Sequence, residues 1–191
     1  MPSMLLSGPA VEPLTLAEAK LFLRVEHDDD DDLIAALIAG SRIHVEAQTR
    51  RALITQTWRL TRDAWPQSGC FFVLPVPLVS LVAARVYTSE SATQALDLAA
   101  FTVDKAPAPA LLAFVPGTLP SPGRAKAGVE LDVTTGYGAA PANVPAPLRQ
   151  AIRLLTAHWY ENRGLVAVGQ SVAGLPASVG ALIAPYQVLS L

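Results

Sequence analysis

The sequence predicts an α+β fold: a small helical bundle of three main helices with an inserted antiparallel β-rich unit and an extended C-terminal tail. Apolar residues recur at helical spacing in residues 15–25 and 30–51, and again in residues 147–163. Between these segments, polar and apolar residues alternate with a period of two, which is typical of strands. Because helical segments stand on both sides of the strands, we expect the helices to pack on one another and the β-rich unit to be an insertion.

The longest predicted helix covers residues 147–163, PLRQAIRLLTAHWYENR. Its apolar residues recur at intervals of four, three and four, which places them on one face. Pro147 suits the first helical turn, where its missing N–H group costs nothing, and Gly164 suits the position just past the end. We expect this helix to be a scaffold whose packing face contains Leu148, Ile152, Leu155, His158 and Trp159.

Two further helices are predicted in the N-terminal part of the chain. Thr15 is a good N-cap, and Glu18 three residues later completes a capping box for a short helix that ends near Val25. A second helix runs to about Arg51, and small residues along it allow close approach to another helix. Residues 1–13 contain prolines and indicate an extended or loosely ordered lead-in.

Six short strands are predicted between these helices and the long one. The clearest lie at 54–61, where polar and apolar residues alternate, and at 129–135, VELDVTT. The other four are predicted at residues 70–75, 81–88, 101–103 and 111–115. The density of Pro and Gly in residues 105–128 predicts long loops around one short strand.

These patterns divide the chain into four segments. They are the N-terminal helices of the bundle at 1–52, the β-rich insertion at 53–137, the long helix at 138–164 and a C-terminal docking tail at 165–191. The tail is rich in Gly and Ala, with a short helix predicted at 176–184 and an apolar, extended end, YQVLSL. An apolar end of this kind usually packs on another surface.

Composition limits the class of protein. Fourteen basic and sixteen acidic residues give a net charge of −2, so the balance has no strong nucleic-acid signature. Charged residues are only 16% of the chain, well below the usual quarter, which favours an assembly that hides much of the surface. The single Cys70 allows no disulfide framework, and neither a signal peptide nor a membrane span is predicted. We expect a soluble protein made in the cytoplasm, with no membrane partner.

No catalytic, cofactor-binding or metal-binding pattern is found in the sequence. The three histidines, His27, His44 and His158, are dispersed over separate segments. The acidic run consists of Asp28, Asp29, Asp30, Asp31 and Asp32. It lacks the alternating ligands, the central Gly and the terminal Glu of an EF-hand loop. We interpret it as a solvated turn before a helix N-terminus, where negative charge is favoured.

Two other classes of function stay open from the residues alone. One is a small hydrolase that uses Ser171 or His158, although no nucleophile motif surrounds either residue. The other is a DNA-binding regulatory protein that uses the clustered arginines of the helix–strand junction and the long helix. Equally, these arginines could pair with the acidic run or with a neighbouring subunit. They are Arg50, Arg51, Arg59, Arg62, Arg149 and Arg153.

Three stretches together resemble the head–tail connector (adaptor) family of tailed phages, which includes adaptors of phage-derived gene transfer agents. The first is TLAEAKLFLRV with the acidic turn and helix that follow it, and the second is ALITQTWRLTRDAWP leading to LPVPLVSLVAARVY. The third is VPAPLRQAIRLLTAHWYENRG, whose segment around His158 is the most specific. The resemblance extends from about Leu14 to Arg163, and the ending LIAPYQV is similar to the family's terminus.

The resemblance implies a structural protein and no enzyme. Members of the family form a ring, commonly dodecameric in the particle, beneath the portal protein. The ring extends the DNA channel without sequence specificity, connects capsid to tail, and offers a platform to a tail-completion (stopper-type) protein. The C-terminal segment is implied to dock on the portal, so a truncation after Gly174 is expected to leave a folded chain that no longer binds it. The docking residues would be Leu182, Ile183, Pro185, Tyr186, Val188, Leu189 and Leu191.

Two expectations follow for the assembled particle. Ring closure needs two different faces of each subunit, and contacts that are weak in solution would strengthen on the portal, so we expect a monomer before assembly. We also expect the acidic run to face the channel, where negative charge would keep the passing DNA from adhering.

Overall fold

The computed structural model describes residues 3–89, 92–162 and 176–189. The chain folds into two compact units, each built from two separate stretches of sequence. A β-rich unit comprises Met1–Pro9 and Thr55–Tyr137, and a helical unit comprises Ala10–Ile54 and Gly138–Leu191. The predicted α+β fold, with an antiparallel β-rich insertion between helices, is confirmed.

The helical unit contains four α-helices in its described part. They are α1 at Leu16–Leu23, α2 at Asp31–Thr49, α3 at Ala146–Glu161 and α4 at Ala177–Ile183. Helix α1 begins with the predicted capping box: the Thr15 hydroxyl accepts from the Glu18 amide at 3.2 Å, and the Thr15 amide donates to the Glu18 carboxylate at 3.0 Å. Residues 163–175, between α3 and α4, lie outside the described residues. They include Gly164, the predicted end of the long helix, and Ser171, the candidate nucleophile.

Helix α2 packs against α3 along a buried apolar face. The close approach predicted from small residues on α2 occurs at Ser41, whose hydroxyl accepts a hydrogen bond of 3.1 Å from the Thr156 hydroxyl of α3. Both groups are fully buried, and the pairing satisfies them there. The core of the unit is formed by Leu14, Ile34, Ile38, Val45, Leu53, Leu148, Ile152, Leu155, Val179 and Ile183.

The β-rich unit has eight strands in its described part. They are β1 Ser3–Ser7, β2 Gln56–Arg62, β3 Cys70–Val73, β4 Leu78–Tyr87, β5 Thr93–Ala95, β6 Phe101–Asp104, β7 Ala110–Phe114 and β8 Val129–Thr135. Five form a sheet in the order β1-β2-β8-β4-β5, and three form a second sheet in the order β3-β7-β6. All pairings are antiparallel.

The prediction of six strands was incomplete. It missed β5, which has only three residues, and β1, which lies in the lead-in. The sequence of β1, SMLLS, does not alternate polar and apolar residues, so it lacks the periodic signal of a half-buried strand. All five residues are exposed in the structure. What makes it a strand is its antiparallel pairing with β2, a contact between distant parts of the sequence.

The two sheets enclose an apolar core rich in aromatic rings. The partly buried Trp65 packs against this core, with ring centroids 5.4 Å from Phe114, 5.9 Å from Phe71 and 6.0 Å from Phe101. The indole N–H of Trp65 donates to the carbonyl of Pro120 at 2.8 Å. This bond holds the Pro- and Gly-rich region, predicted as long loops, against the core.

The structure explains why position 123 in that region is a glycine. Its amide donates to the Tyr87 carbonyl at 2.6 Å, which brings the loop backbone against the end of β4. A Cβ atom at this position would lie 2.0 Å from the Thr88 carbonyl oxygen. Only glycine allows this close approach.

Candidate assembly surfaces

Helix α3 has the buried face that its periodicity predicts. Leu148, Ile152 and Leu155 are fully buried, while His158 and Trp159 are only partly buried at the edge of the face. Trp159 meets His44 of α2 edge-on, with ring centroids 6.0 Å apart. The Nε2 atom of His44 is buried there, and none of the described residues forms a hydrogen bond with it. The first three residues therefore pack in the core, and the last two join α3 to α2 at the periphery.

The C-terminal segment folds back on the helical unit. The Val188 amide donates to the Thr49 carbonyl at the end of α2 at 3.2 Å. Arg51 Nε donates to the Tyr186 carbonyl at 2.7 Å, and the Arg51 guanidinium lies 5.8 Å from the centre of the Tyr186 ring. Val188 and Ile183 are both buried by this packing. The segment is therefore anchored to its own chain at several points.

This packing divides the residues predicted to dock on a portal. Ile183 and Val188 face the chain's own core, and Leu182 and Tyr186 are half-buried. Pro185 is exposed, and the Leu189 side chain is 79% exposed. Leu191 lies outside the described residues. Because α4 contributes buried Val179 to the core, a truncation after Gly174 would remove core residues, so it is not the clean test of docking that the sequence suggested.

The acidic run begins in the turn before α2 and continues into that helix. Lys20 Nζ donates to Asp28 at 2.6 Å and to Asp31 at 2.7 Å, and the Tyr160 hydroxyl donates to Asp30. The hydrogen bond from Lys20 holds the pKa of Asp28 below its ordinary value and raises that of Lys20. Three of the five carboxylates thus hold the turn against α1 and α3, whereas Asp29 and Asp32 are exposed.

The described histidine, cysteine and acidic side chains form no group of three or more that could hold a metal ion. His27 lies in the turn before α2, His44 in α2 and His158 in α3. The side-chain amide of Asn162 donates to the His158 carbonyl at 2.7 Å and lies 3.3 Å from Nδ1 of the His158 ring. Cys70 is a free cysteine at the start of β3. Helices long and apolar enough to cross a membrane are likewise not found in the part of the chain that the structure covers.

The outer face of the five-stranded sheet carries an ion-pair network that sequence reasoning missed. Arg59 of β2 contacts Asp132 of β8 with two hydrogen bonds, of 2.7 and 2.9 Å. Arg85 of β4 donates at 2.7 Å to Asp132 Oδ2, which also accepts one of the two bonds from Arg59. Glu130 lies 3.4 Å from Arg59 and accepts from the Tyr87 hydroxyl at 3.1 Å. The central strand thus binds both of its neighbours through charge as well as through the backbone ladder.

A signal for this network was present in the sequence. Glu130 and Asp132 are two residues apart in a strand, so they share a face, and Arg59 and Arg85 hold matching positions in their strands. The register pairs Arg59 with Asp132 and Arg85 with Glu130. Of the alternatives considered for the junction arginines, Arg59 therefore pairs with β8 and not with the acidic run.

Electrostatics favours the ionised form of this network. Burial of the Asp132 carboxylate opposes its charge, but the hydrogen bonds from Arg59 and Arg85 outweigh burial and hold the pKa of Asp132 below its ordinary value. The hydrogen bond to Asp132 also raises the pKa of Arg59. A depressed acid pKa contributes stability above the unfolded value of about 4, and that contribution is lost as the pH falls through the folded value.

Comparison with known proteins adds two findings. Residues 13–103, just under half of the chain, match the family model of the phage gp6-like head–tail connector protein. The fold also matches chains in solved gene transfer agent (GTA) particles. The resemblance to phage head–tail connectors is confirmed. No curated protein matches the sequence.

The similarity to chains of GTA particles extends over almost the whole chain. A chain in the neck of a native GTA particle computed with C12 symmetry is 25% identical, with a TM-score of 0.78 over 98% of this chain and 97% of that one. A chain in the neck of an empty GTA particle computed with C6 symmetry is 24% identical, with a TM-score of 0.81 and the same coverage. A chain in a native GTA virion is 22% identical, with a TM-score of 0.83 over 100% of this chain and 97% of that one.

We predict that Asp132→Asn lowers the free energy of unfolding by about 2–3 kcal/mol at pH 7, because two partly buried guanidinium groups lose their nearer anion and keep only the more distant Glu130. The difference from wild type should shrink as the pH falls below about 4, because the unfolded wild-type chain then takes up a proton at Asp132 more readily than the native chain does. Urea unfolding at pH 7 and pH 3 measures both. The control is Asp63→Asn, which alters an exposed pair with Lys126. Equal effects of the two variants at pH 7 would contradict the importance of the network.

Proposed function

We propose that this protein is a structural adaptor of a phage-like particle, made in the cytoplasm and incorporated at the head–tail junction. It forms a ring under the portal, extends the DNA channel and connects the capsid to the tail. The observation that carries the proposal is the similarity over nearly the full length to a chain in the neck of a GTA particle computed with C12 symmetry, together with the connector family match. The role is structural and not catalytic.

The proposed ring contains twelve copies. The C12 symmetry of the similar neck supports this number. Each subunit then uses two different faces, one for each neighbour, because a ring with a rotation axis has head-to-tail contacts. The protein is monomeric before assembly, since single contacts are weak and the portal raises the local concentration of subunits. The low fraction of charged residues agrees with a surface that is largely covered in the particle.

Three partners follow from this role. The portal protein receives the C-terminal segment, a tail-completion (stopper-type) protein binds the other end of the ring, and DNA passes without sequence-specific contacts. A net charge of −2 agrees with DNA passing without being bound tightly, because attraction of duplex DNA to a protein requires an excess of basic groups. No membrane takes part in the assembly.

Portal docking uses the outward side of the C-terminal segment. Ile183 and Val188 hold the segment on α2, so the side chains free to contact a portal are Leu189, Pro185 and the exposed parts of Leu182 and Tyr186. Anchoring one side of the segment keeps its shape, which lowers the entropic cost of binding with the other side.

Loss of the protein is the first test of the adaptor role. Cells that make the particle without this chain are expected to accumulate DNA-filled heads and separate tails, because no adaptor joins them. Negative-stain microscopy and sedimentation measure the joined fraction, and the wild-type gene supplied in trans is the control. Joined, infectious or DNA-delivering particles without the chain would overturn the proposal.

The second test separates docking from anchoring. Leu189→Asp is expected to weaken portal binding about tenfold or more, because a buried leucine contributes about 1.5–3 kcal/mol, while thermal stability stays unchanged. Val188→Asp is the matched control: it places a charge in the core and is expected to lower stability in the isolated chain. Portal affinity and thermal unfolding are measured for both. Normal binding by Leu189→Asp would exclude this residue from the docking surface.

The third test concerns the acidic run. We propose that Asp29 and Asp32 face the channel and repel DNA, whereas Asp28 and Asp31 are held by Lys20. The double variant Asp29→Asn with Asp32→Asn is expected to slow DNA release and to lower stability by at most about 1 kcal/mol, through the loss of one charge from the first turn of α2. The double variant Asp28→Asn with Asp31→Asn is expected to lower stability further, because Lys20 loses both of its partners, and not to slow release. Rates of DNA release from particles and thermal unfolding distinguish them. An unchanged rate of DNA release with the first variant would contradict a channel-facing role for Asp29 and Asp32.

A further inference from the structure

Strand β1 is an edge strand with an unusual surface. It pairs with β2 on one side only and ends the five-stranded sheet. All five of its residues are exposed, including three successive large apolar side chains, Met4, Leu5 and Leu6, at 54%, 46% and 42%. On the side away from β2, no strand in the described part of the chain pairs with its backbone N–H and C=O groups.

Proteins normally protect such an edge. They use charged side chains, proline, a very short strand or a covering helix, because an open apolar edge pairs with other chains. The sequence of β1, Ser-Met-Leu-Leu-Ser, contains no charge and no proline. A register shift against β2 lies between Leu5 and Ser7, and it leaves Ser3, Met4 and Leu5 in regular register. At the opposite edge of the same sheet, β5 has only three residues, so that edge is protected by its shortness. The chemistry of β1 therefore fits an occupant that is itself an extended, uncharged strand.

The same unit has a second open edge with matching properties. Among the strands that the structure describes, β3 pairs with β7 alone and ends the three-stranded sheet. Its sequence, Cys-Phe-Phe-Val, is uncharged, and Phe72 is 57% exposed. The remaining edge, β6, ends in the charged Asp104, which makes it a poorer match for β1. Edges β1 and β3 belong to different sheets, so they are two different surfaces, as a head-to-tail contact requires.

We propose that β1 of one copy adds as a strand to β3 of the neighbouring copy, and that this intermolecular pairing is repeated around the ring. The proposal rests on the ring-forming adaptor function. Backbone hydrogen bonds supply the directional part of the contact, and Met4, Leu5, Leu6 and Phe72 supply apolar area. Because each edge has only four or five residues, one pairing is weak and closure of the ring sums many of them.

The native cysteine makes the pairing directly testable. Cys70 is the first residue of β3 and the single cysteine of the chain, so a cysteine introduced into β1 reports contact with β3 of a neighbour. Met4→Cys, Leu5→Cys and Leu6→Cys are assembled into particles with the other head and neck proteins and then oxidised. A disulfide forms only where the two Cα atoms lie about 4.4–6.8 Å apart.

We expect covalent oligomers of this chain in at least one β1 variant, several-fold above a Thr93→Cys control on β5. Neighbouring β1 positions should differ in yield, because successive side chains of a strand point to opposite faces. Adding Cys70→Ser should abolish the oligomers. As a second measurement, Leu5→Lys should reduce the fraction of chain assembled in particles without changing thermal stability.

Other outcomes overturn the inference in distinguishable ways. If the chain is present in particles but β1 variants cross-link no more than Thr93→Cys, the edge pairing is wrong and the adaptor function stands. Oligomers that persist with Cys70→Ser indicate β1–β1 pairing, and cross-links to a different protein identify another occupant; both contradict the proposal. If the wild-type chain is absent from particles, the adaptor function fails and the inference fails with it.

Discussion

The pairing of β2 with β8 is the interaction on which the topology of this protein depends. Strand β2 is the first strand after α2 and β8 is the last before α3, and their register sets Gln56 opposite Thr135. The ladder thus brings together the two ends of a long insertion, so the helices on either side can share one core. Closing so long a loop costs conformational entropy, and several contacts between the two strands offset it.

Strand β8 makes this closure strong because both of its faces are used. Val129, Leu131 and Val133 enter the aromatic core between the sheets. On the other face, Asp132 receives hydrogen bonds from arginines of both neighbouring strands. Hydrophobic burial and charge pairing therefore select the same register, and a shift of one residue would lose both. This agreement between two kinds of interaction is what specifies a single pairing among many alternatives.

In the helical unit, one short segment carries both buried, anchoring side chains and an exposed apolar side chain. Ile183 and Val188 point into the core, whereas Leu189 is exposed next to them. An exposed apolar side chain held by a rigid neighbour is suited to recognition, because little conformational freedom is left to lose on binding. In the β-rich unit, the open edges of β1 and β3 have a similar character: each is an uncharged element that the fold presents without covering it.

Local patterns of the sequence determined the elements of this protein. The face of α3 containing Leu148, Ile152 and Leu155, the capping box at Thr15 and the strand 129–135 were predicted correctly, because each depends on residues two to four positions apart. The connector resemblance came from such stretches as well. Tertiary structure alone decided which elements meet. Arg59 binds Asp132, 73 positions away, β1 exists only through β2, and Val188 is buried while Leu189 is not. These outcomes depend on how the chain closes on itself, and spacing between near neighbours does not encode that closure.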